Sequence, residues 1–224
     1  MAQQAVEDYL KTIYLLAQTE SPVTTSRLAT ARELKPASVT NMVQRLARLD
    51  LVSYRKHFGV TLTAAGQKIA LEMLRHHRLL ELYLTQELGF GWEEVHEEAE
   101  ALEHVISEKF EARIAAILGD PQFDPHGEPI PTKDGTISMV NDRPLTATSV
   151  GEQVEVVRIG DDTNADLLTY LAQQGLVLGC VVVVAAVAPF EGPITVEFED
   201  EQRVVGYKVA TNIFVEGVGH EESR

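Results

Sequence analysis

The 224-residue chain carries 45% hydrophobic and 24% charged residues, the make-up of an ordinary globular protein with core enough for one large or two modest domains. Its single cysteine, Cys180, excludes an internal disulfide and fits a reducing compartment. A net charge of −15 speaks against nucleic acid only until it is divided along the chain: residues 1–63 carry +3, while residues 64–140 and 141–224 carry −9 each.

Residues 4–19 place Val6, Tyr9, Leu10, Ile13, Leu16 and Ala17 three and four apart, which predicts an amphipathic helix closed by Ser21-Pro22. Thr24, Thr25 or Ser26 can cap a short second helix carrying Leu28, Ala29 and Ala31, with Leu34 in the turn that follows. Pro36 suits the first position of a third helix, whose inner face is Val39, Met42, Val43, Leu46 and Leu49. Its outer face is Ser38, Thr40, Asn41, Gln44, Arg45 and Arg48. Two strands, 51–54 and 60–63, then flank the turn Arg55-Lys56-His57-Phe58-Gly59. Three helices and a ribbon are the order of a winged helix-turn-helix, whose third helix enters the major groove of DNA. On that reading Ser38, Thr40 and Asn41 reach base edges, and the basic side chains of Arg27, Lys35, Arg48, Arg55 and Lys56 suit phosphates. The alternative is a helical domain with a solvated basic face.

A long helix from about residue 63 to 88 and another from about 92 to 118 make a helical middle segment. On the second, an advance of about 100° per residue brings His96, Glu100, Glu103 and His104 within roughly one 100° arc. His77 and Glu81, four apart on the first, also share a face. Imidazole with several carboxylates suits divalent ions that tolerate oxygen donors, such as Mn²⁺ and Fe²⁺, better than a cysteine-rich zinc site. The alternative is a solvated acidic helix with incidental histidines. Enzymatic motifs fail on spacing: Glu100 stands where H-E-x-x-H requires its second histidine, and neither Glu100 nor Glu103 has a histidine three residues on.

Prolines 121, 125, 129, 131 and 144 with glycines 119, 127 and 135 predict ordered loop from 119 to 144. Short runs at 153–159, 181–188, 194–198 and 204–210, with a helical turn at 166–173, then predict a small β-barrel. Cys180 falls in an apolar run and reads as core. That run, 176–190, is too short and too broken to span a membrane, and the N-terminus has no signal-peptide pattern, so the expected compartment is the cytoplasm. His57, His76, His126 and His220 read as surface or loop residues.

With these motifs the sequence resembles the diphtheria toxin repressor family of metal-dependent transcriptional regulators over nearly its whole length. The resemblance is carried by Glu7-Asp8-Tyr9-Leu10-Lys11-Thr12-Ile13-Tyr14, the helix-turn-helix 27–49, His77-Arg78-x-x-Glu81, Val95-His96-x-Glu98-Ala99-Glu100-x-x-Glu103-His104 and Pro125-His126-Gly127-x-Pro129-Ile130-Pro131. It implies an α+β chain: a winged helix-turn-helix (1–65), a helical metal-binding and dimerisation domain (66–140), a linker (141–150) and an SH3-like β-barrel (151–219). It also implies a primary metal site of Asp8, Glu100, Glu103 and His104. An ancillary site of His77, Glu81 and His96 would be completed from the barrel, by Asp161 ahead of Asp162 and Asp166.

Iron-responsive members of the family carry Met at the position of Asp8 and Cys at that of Glu100. The carboxylates found here shift the preference toward Mn²⁺, with Fe²⁺ as the alternative and other divalent first-row ions as substitutes in vitro. Short manganese regulators carry a carboxylate where this chain has Lys11, so two separated sites are expected rather than a close pair. The resemblance thus implies a homodimeric, manganese-activated regulator that binds a palindromic operator in double-stranded DNA, a repressor of metal uptake genes. Neither a membrane nor a small-molecule substrate is expected as partner, nor enzymatic activity. The alternative from another class is a metal carrier or storage protein that does not act on DNA.

Overall fold

The structure, a computed structural model, describes residues 2–218, so the expectation for His220 lies outside the described residues. The chain divides into two compact units. The first comprises the residues up to His77 with Ala101–Arg113 and Ile130–Ile137; the second comprises Arg78–Glu100, Ile114–Pro129 and the chain from Ser138 on. No helix among the described residues is long and apolar enough to cross a membrane.

The first unit opens with α1 (Ala2–Ala17), which buries Tyr9, Leu10 and Ile13 along one stripe. Helix α2 (Thr25–Ala31) starts where the Thr24 hydroxyl accepts the amide of Arg27, and α3 (Pro36–Arg48) starts on Pro36, as expected. Val39, Val43 and Leu46 of α3 join Leu28 and Ala29 of α2 in one apolar cluster with α1. Strands β1 (Val52–Arg55) and β2 (Gly59–Leu62) pair antiparallel and form the ribbon. Its turn takes His57 to φ +67° and Gly59 to φ +123°, and a Cβ on Gly59 would stand 2.6 Å from the Val23 carbonyl oxygen. The expected winged order is therefore present, each strand shifted by about one residue.

Helix α4 (Ala64–Leu88) runs as one element, matching the sequence expectation. The helix expected over 92–118 does not: it is two, α5 (Val95–Leu102) and α6 (Glu108–Ile117). Ser107 breaks it, its hydroxyl and carbonyl accepting the amide of Phe110 so that a new helix begins. Glu103 and His104 consequently lie in the intervening turn rather than on a continuous helical face.

In the second unit a six-stranded antiparallel sheet has the order β3 (Arg143–Pro144), β8 (Ile213–Gly217), β4 (Gln153–Ile159), β5 (Val181–Val187), β6 (Ile194–Phe198), β7 (Glu201–Val205). Alternate residues Val154, Val156, Val182, Val184, Ile194, Val196, Ile213 and Val215 point into its core, and Cys180 is buried there as expected. Helix α7 (Ala165–Gln174), capped by Asn164 and ended by Gly175 at φ +70°, adds Leu168 and Leu171. Three details depart from expectation. Arg143 and Pro144, expected in a linker, pair with β8; β8 itself was not foreseen; and the run 204–210 divides into the end of β7 and a short helix α8 (Tyr207–Ala210) begun at Gly206.

Candidate metal centre

The first unit gathers Asp8, Glu103 and His104, with donor atoms of all three within 4.8 Å of one another. Nδ1 of His104 is 2.8 Å from Glu7 Oε2, an acceptor, so this nitrogen carries the proton and Nε2 keeps its lone pair. That lone pair meets Asp8 Oδ1 at 2.7 Å, and Glu103 Oε1 lies 3.4 Å away. Both His104 Nε2 and Asp8 Oδ1 are buried without a hydrogen bond. Two acceptors held face to face in this way fit two donors to one cation, with Glu7 orienting the imidazole from behind.

Basic side chains flank the same group. Arg32, the C-cap residue of α2, donates to Asp8 Oδ2 at 2.8 Å while its guanidinium lies 5.7 Å from the centre of the Tyr9 ring. Lys11 donates to both oxygens of the fully buried Glu103 carboxylate, at 2.6 and 2.8 Å, and His77 Nδ1 reaches the same carboxylate at 2.5 Å. A lysine so engaged offers no lone pair to an ion. His77 thereby touches a residue assigned to the primary site and also stands one turn from Glu81 on α4. Glu100 sits near the end of α5, three residues before Glu103.

In the second unit Glu81 is fully buried, with His96 Nδ1 at 3.2 Å from its Oε1. Around it stand two residues that sequence reasoning missed. Asp124 and His126 place donor atoms within 4.8 Å of Glu81 and of each other. His126, expected as a surface or loop residue, lies in a loop but is fully buried: its Nε2 donates to the Trp92 carbonyl at 2.8 Å and its ring stacks on Trp92, so Nδ1 keeps its lone pair, 4.0 Å from Glu81 Oε2. Asp124 Oδ1 accepts the amides of His126 and Glu128 at 2.8 and 3.0 Å, which closes the loop around its own carboxylate. Asp124 Oδ2 and His126 Nδ1 are both buried without a hydrogen bond.

Burial first, and the Glu81 charge next, push the Asp124 carboxyl well above its ordinary value, with Arg78 pulling the other way. The same two causes raise Asp162. Asp161, expected to complete the ancillary set, stands apart from it: its carboxylate accepts from the Thr163 hydroxyl at 3.0 Å and the Asn164 amide at 3.5 Å, at the entry to α7. Asp162 is the barrel residue whose charge meets Glu81, His126 and His96, and Asp166 is exposed on α7.

On the winged-helix surface, Arg27, Lys35, Ser38, Asn41, Arg48, Arg55 and Lys56 are all exposed, as a nucleic-acid contact requires. Thr40 is half-buried and its hydroxyl donates to the Pro36 carbonyl at 2.9 Å, so its oxygen can only accept from a partner and its methyl offers an apolar contact. A hollow of about 420 Å³ lies between the start of α2, Thr40 of α3 and the ribbon residues Lys56 and Phe58. The Arg55 guanidinium stacks 5.0 Å from the Phe58 ring, which stiffens the tip of the ribbon.

Comparison with known proteins places three family models end to end on the chain. They are the iron-dependent repressor N-terminal DNA-binding domain over 1–60, the iron-dependent repressor metal-binding and dimerisation domain over 63–132, and the FeoA domain over 143–217. The iron-dependent repressor IdeR of Mycobacterium leprae is 34% identical over 191 residues, covering 80% of this chain and 82% of that one. The diphtheria toxin repressor of Corynebacterium jeikeium is 34% identical over 136 residues, 61% of this chain but only 57% of that protein's length. Among solved structures, a manganese-dependent transcriptional repressor in complex with manganese superposes with a TM-score of 0.87 at 39% identity, covering 95% of this chain and all of that one. The manganese regulator SloR gives 0.77 at 33% identity over 95% of this chain and 98% of its own.

Proposed function

The chain belongs to the iron-dependent repressor family of metal-dependent DNA-binding transcriptional repressors, and from that premise we propose a manganese-activated repressor that acts as a homodimer on a palindromic operator. Asp8 carries the choice of ion: where iron-responsive relatives of the resembled family offer sulfur, this chain offers oxygen, both there and at Glu100. Manganese sits at the weak end of the divalent series and is selected by ligand type and geometry, so hard donors favour it. The structural relatives described as manganese-dependent support the same choice. The division of labour follows the domains 1–65, 66–140 and 151–219, which the spans of the three family models support.

The primary ion is assigned to Asp8, Glu100, Glu103 and His104, and when bound it supplies the positive charge that three carboxylates share. The ancillary ion is assigned to Glu81, Asp124, His126 and Asp162, with His96 on Glu81; Asp162 replaces Asp161 in that role. The chain's own residues connect the first site to DNA. Asp8 is tied to the end of α2 by the oxygen that accepts from Arg32 and turns its other oxygen toward the 103–104 turn, 2.7 Å from His104 Nε2, where an ion would join the two. Helix α3 packs on α2, so the placement of Ser38 and Asn41 follows the Asp8 carboxylate. Since a ligand shifts an equilibrium only through unequal affinity for its two states, the DNA-competent state is the one in which Asp8 meets His104.

The test is retention of a randomised duplex pool by the purified chain, with Mn²⁺ and with chelator, followed by sequencing of the bound fraction. Enrichment of a palindrome with Mn²⁺ alone is expected, its half-sites about 10 base pairs or a multiple apart. No enrichment in either condition, despite tight Mn²⁺ binding, would replace the repressor by a metal carrier.

A further inference from the structure

A third group of donors, used by neither site above, lies within the first unit. His76 neighbours His77 in sequence but belongs to a different face of α4. Expected as a surface or loop residue, it lies inside α4 with its side chain only 7% exposed. Its Nδ1 stands 3.2 Å from the main-chain carbonyl oxygen of Glu103, an acceptor, so the proton is on that nitrogen. The lone pair of Nε2 then points the other way. That nitrogen is buried and has no hydrogen-bond partner.

What Nε2 faces is acidic. Glu72, one turn earlier on α4, and Glu108, at the start of α6, bring carboxylate oxygens within 4.8 Å of a ring nitrogen of His76 and of one another. Glu111 Oε2 is 3.5 Å from Nε2. Burial first and the Glu108 carboxylate next raise the Glu72 carboxyl. The group opens onto a cavity of about 300 Å³ between α4 and α6.

Nearby cations answer this demand only in part: Lys68, exposed on the wall of the same cavity, draws the Glu72 carboxyl down against the two larger causes. Arg75 is committed to Glu111 Oε1 at 2.5 Å and to the Pro131 carbonyl at 2.8 Å. Lys133 comes to 3.7 Å from Glu108, but both side chains are more than 60% exposed, and such a pair is worth little in water. An imidazole whose far nitrogen is anchored to a backbone carbonyl, with its near nitrogen turned to two carboxylates, is the arrangement that metal-binding histidines adopt.

We propose that Glu72, His76 and Glu108 form a third divalent-cation site, with Glu111 beside it, of the imidazole-and-carboxylate class that takes Mn²⁺ or Zn²⁺. The site is open to solvent on the Glu72 and Glu108 side. Through His76 it is tied to the backbone of the turn that carries Glu103 and His104, so an ion bound here stiffens that turn. The proposal stands apart from the assignments of the primary and ancillary ions.

The full chain is dialysed against an excess of Mn²⁺, and separately of Zn²⁺, and the ions retained per chain are counted for the parent and for Glu72→Gln with Glu108→Gln. Both glutamates are exposed, so the pair of substitutions leaves the fold intact. The variant is expected to retain one ion fewer per chain with at least one of the metals, and His76→Gln to lose the same ion. Equal counts for parent and double variant with both metals overturn the site. A separate count on Asp8→Ala reports on the primary assignment, so the failure of either reading is distinguishable from failure of the other.

Discussion

Around Glu103 the first unit supplies its own cations, Lys11 on both carboxylate oxygens and Arg32 on the neighbouring Asp8. Around Glu81 the second unit supplies Arg78, which stands 3.6 Å from Asp124 and is shared with Glu128. The difference lies in what each cluster does with no ion present. The first balances Glu103 and one oxygen of Asp8 with cations of the fold, and leaves Asp8 Oδ1 and His104 Nε2 without a hydrogen bond. The second holds the Asp124 and Asp162 carboxyls above their ordinary range, through burial first and the Glu81 charge next, so protons compete with a cation more strongly there.

The strongest way to break this contrast is Lys11→Met. It leaves the buried Glu103 carboxylate without its ammonium, and such a loss costs about 3–5 kcal/mol. Denaturant unfolding of the ion-free chain measures it, and a loss below about 1 kcal/mol would mean that Glu103 does not depend on Lys11. Next is Asp8→Ala, for which Mn²⁺-dependent operator binding is expected to fall at least about 100-fold, or about 2.8 kcal/mol, with the dimer unchanged in sedimentation. Unchanged metal dependence in that variant would sink the role given to Asp8.

In the second cluster the sign reverses. Asp162→Asn removes a carboxylate from a crowded set, so the ion-free chain is expected to gain about 1 kcal/mol at neutral pH while its stabilisation by Mn²⁺ shrinks. A stability loss in thermal melts would show that Asp162 is held by favourable contacts. The smallest effect is in the pH profile. Asp124 and Asp162 have folded values above the 3.8 of the unfolded chain, so the folded state keeps protons that the unfolded state releases. Their contribution is therefore fullest below that value and declines as pH rises through the raised values. Saturating Mn²⁺ is expected to remove the decline, which melts at a series of pH values would record.

The winged helix was legible because each of its devices is local: Thr24 as cap, Pro36 as helix start, and the four-and-three spacing of Val39, Val43 and Leu46. The same holds for β4, β6 and α7, where alternation and Asn164 mark the elements. The break at 103–107 was missed because apolar periodicity continues across it, although Ser107 followed by acidic Glu108 and Glu111 is itself a helix-start signature. Glu72 and His76 could have been paired by the four-residue rule that paired His77 with Glu81. Asp124 and His126 had no such signal, since only the folding of a proline-rich loop back on itself brings them to Glu81.

Gly127 illustrates how narrow that loop's tolerance is. Its φ is +85°, and a Cβ there would lie 2.0 Å from the Val157 carbonyl oxygen. Next door, the His126 carbonyl accepts the Ile159 amide at 2.9 Å, and Arg158 of β4 donates to Glu128 at 2.9 Å, so the loop is stitched to β4 on both sides of Gly127. In a library of single substitutions, Gly127 is expected to be as intolerant as a metal-ligand position, although it has no atom to offer a metal. Even the addition of one methyl group would lift the loop from the strand and carry the His126 imidazole with it.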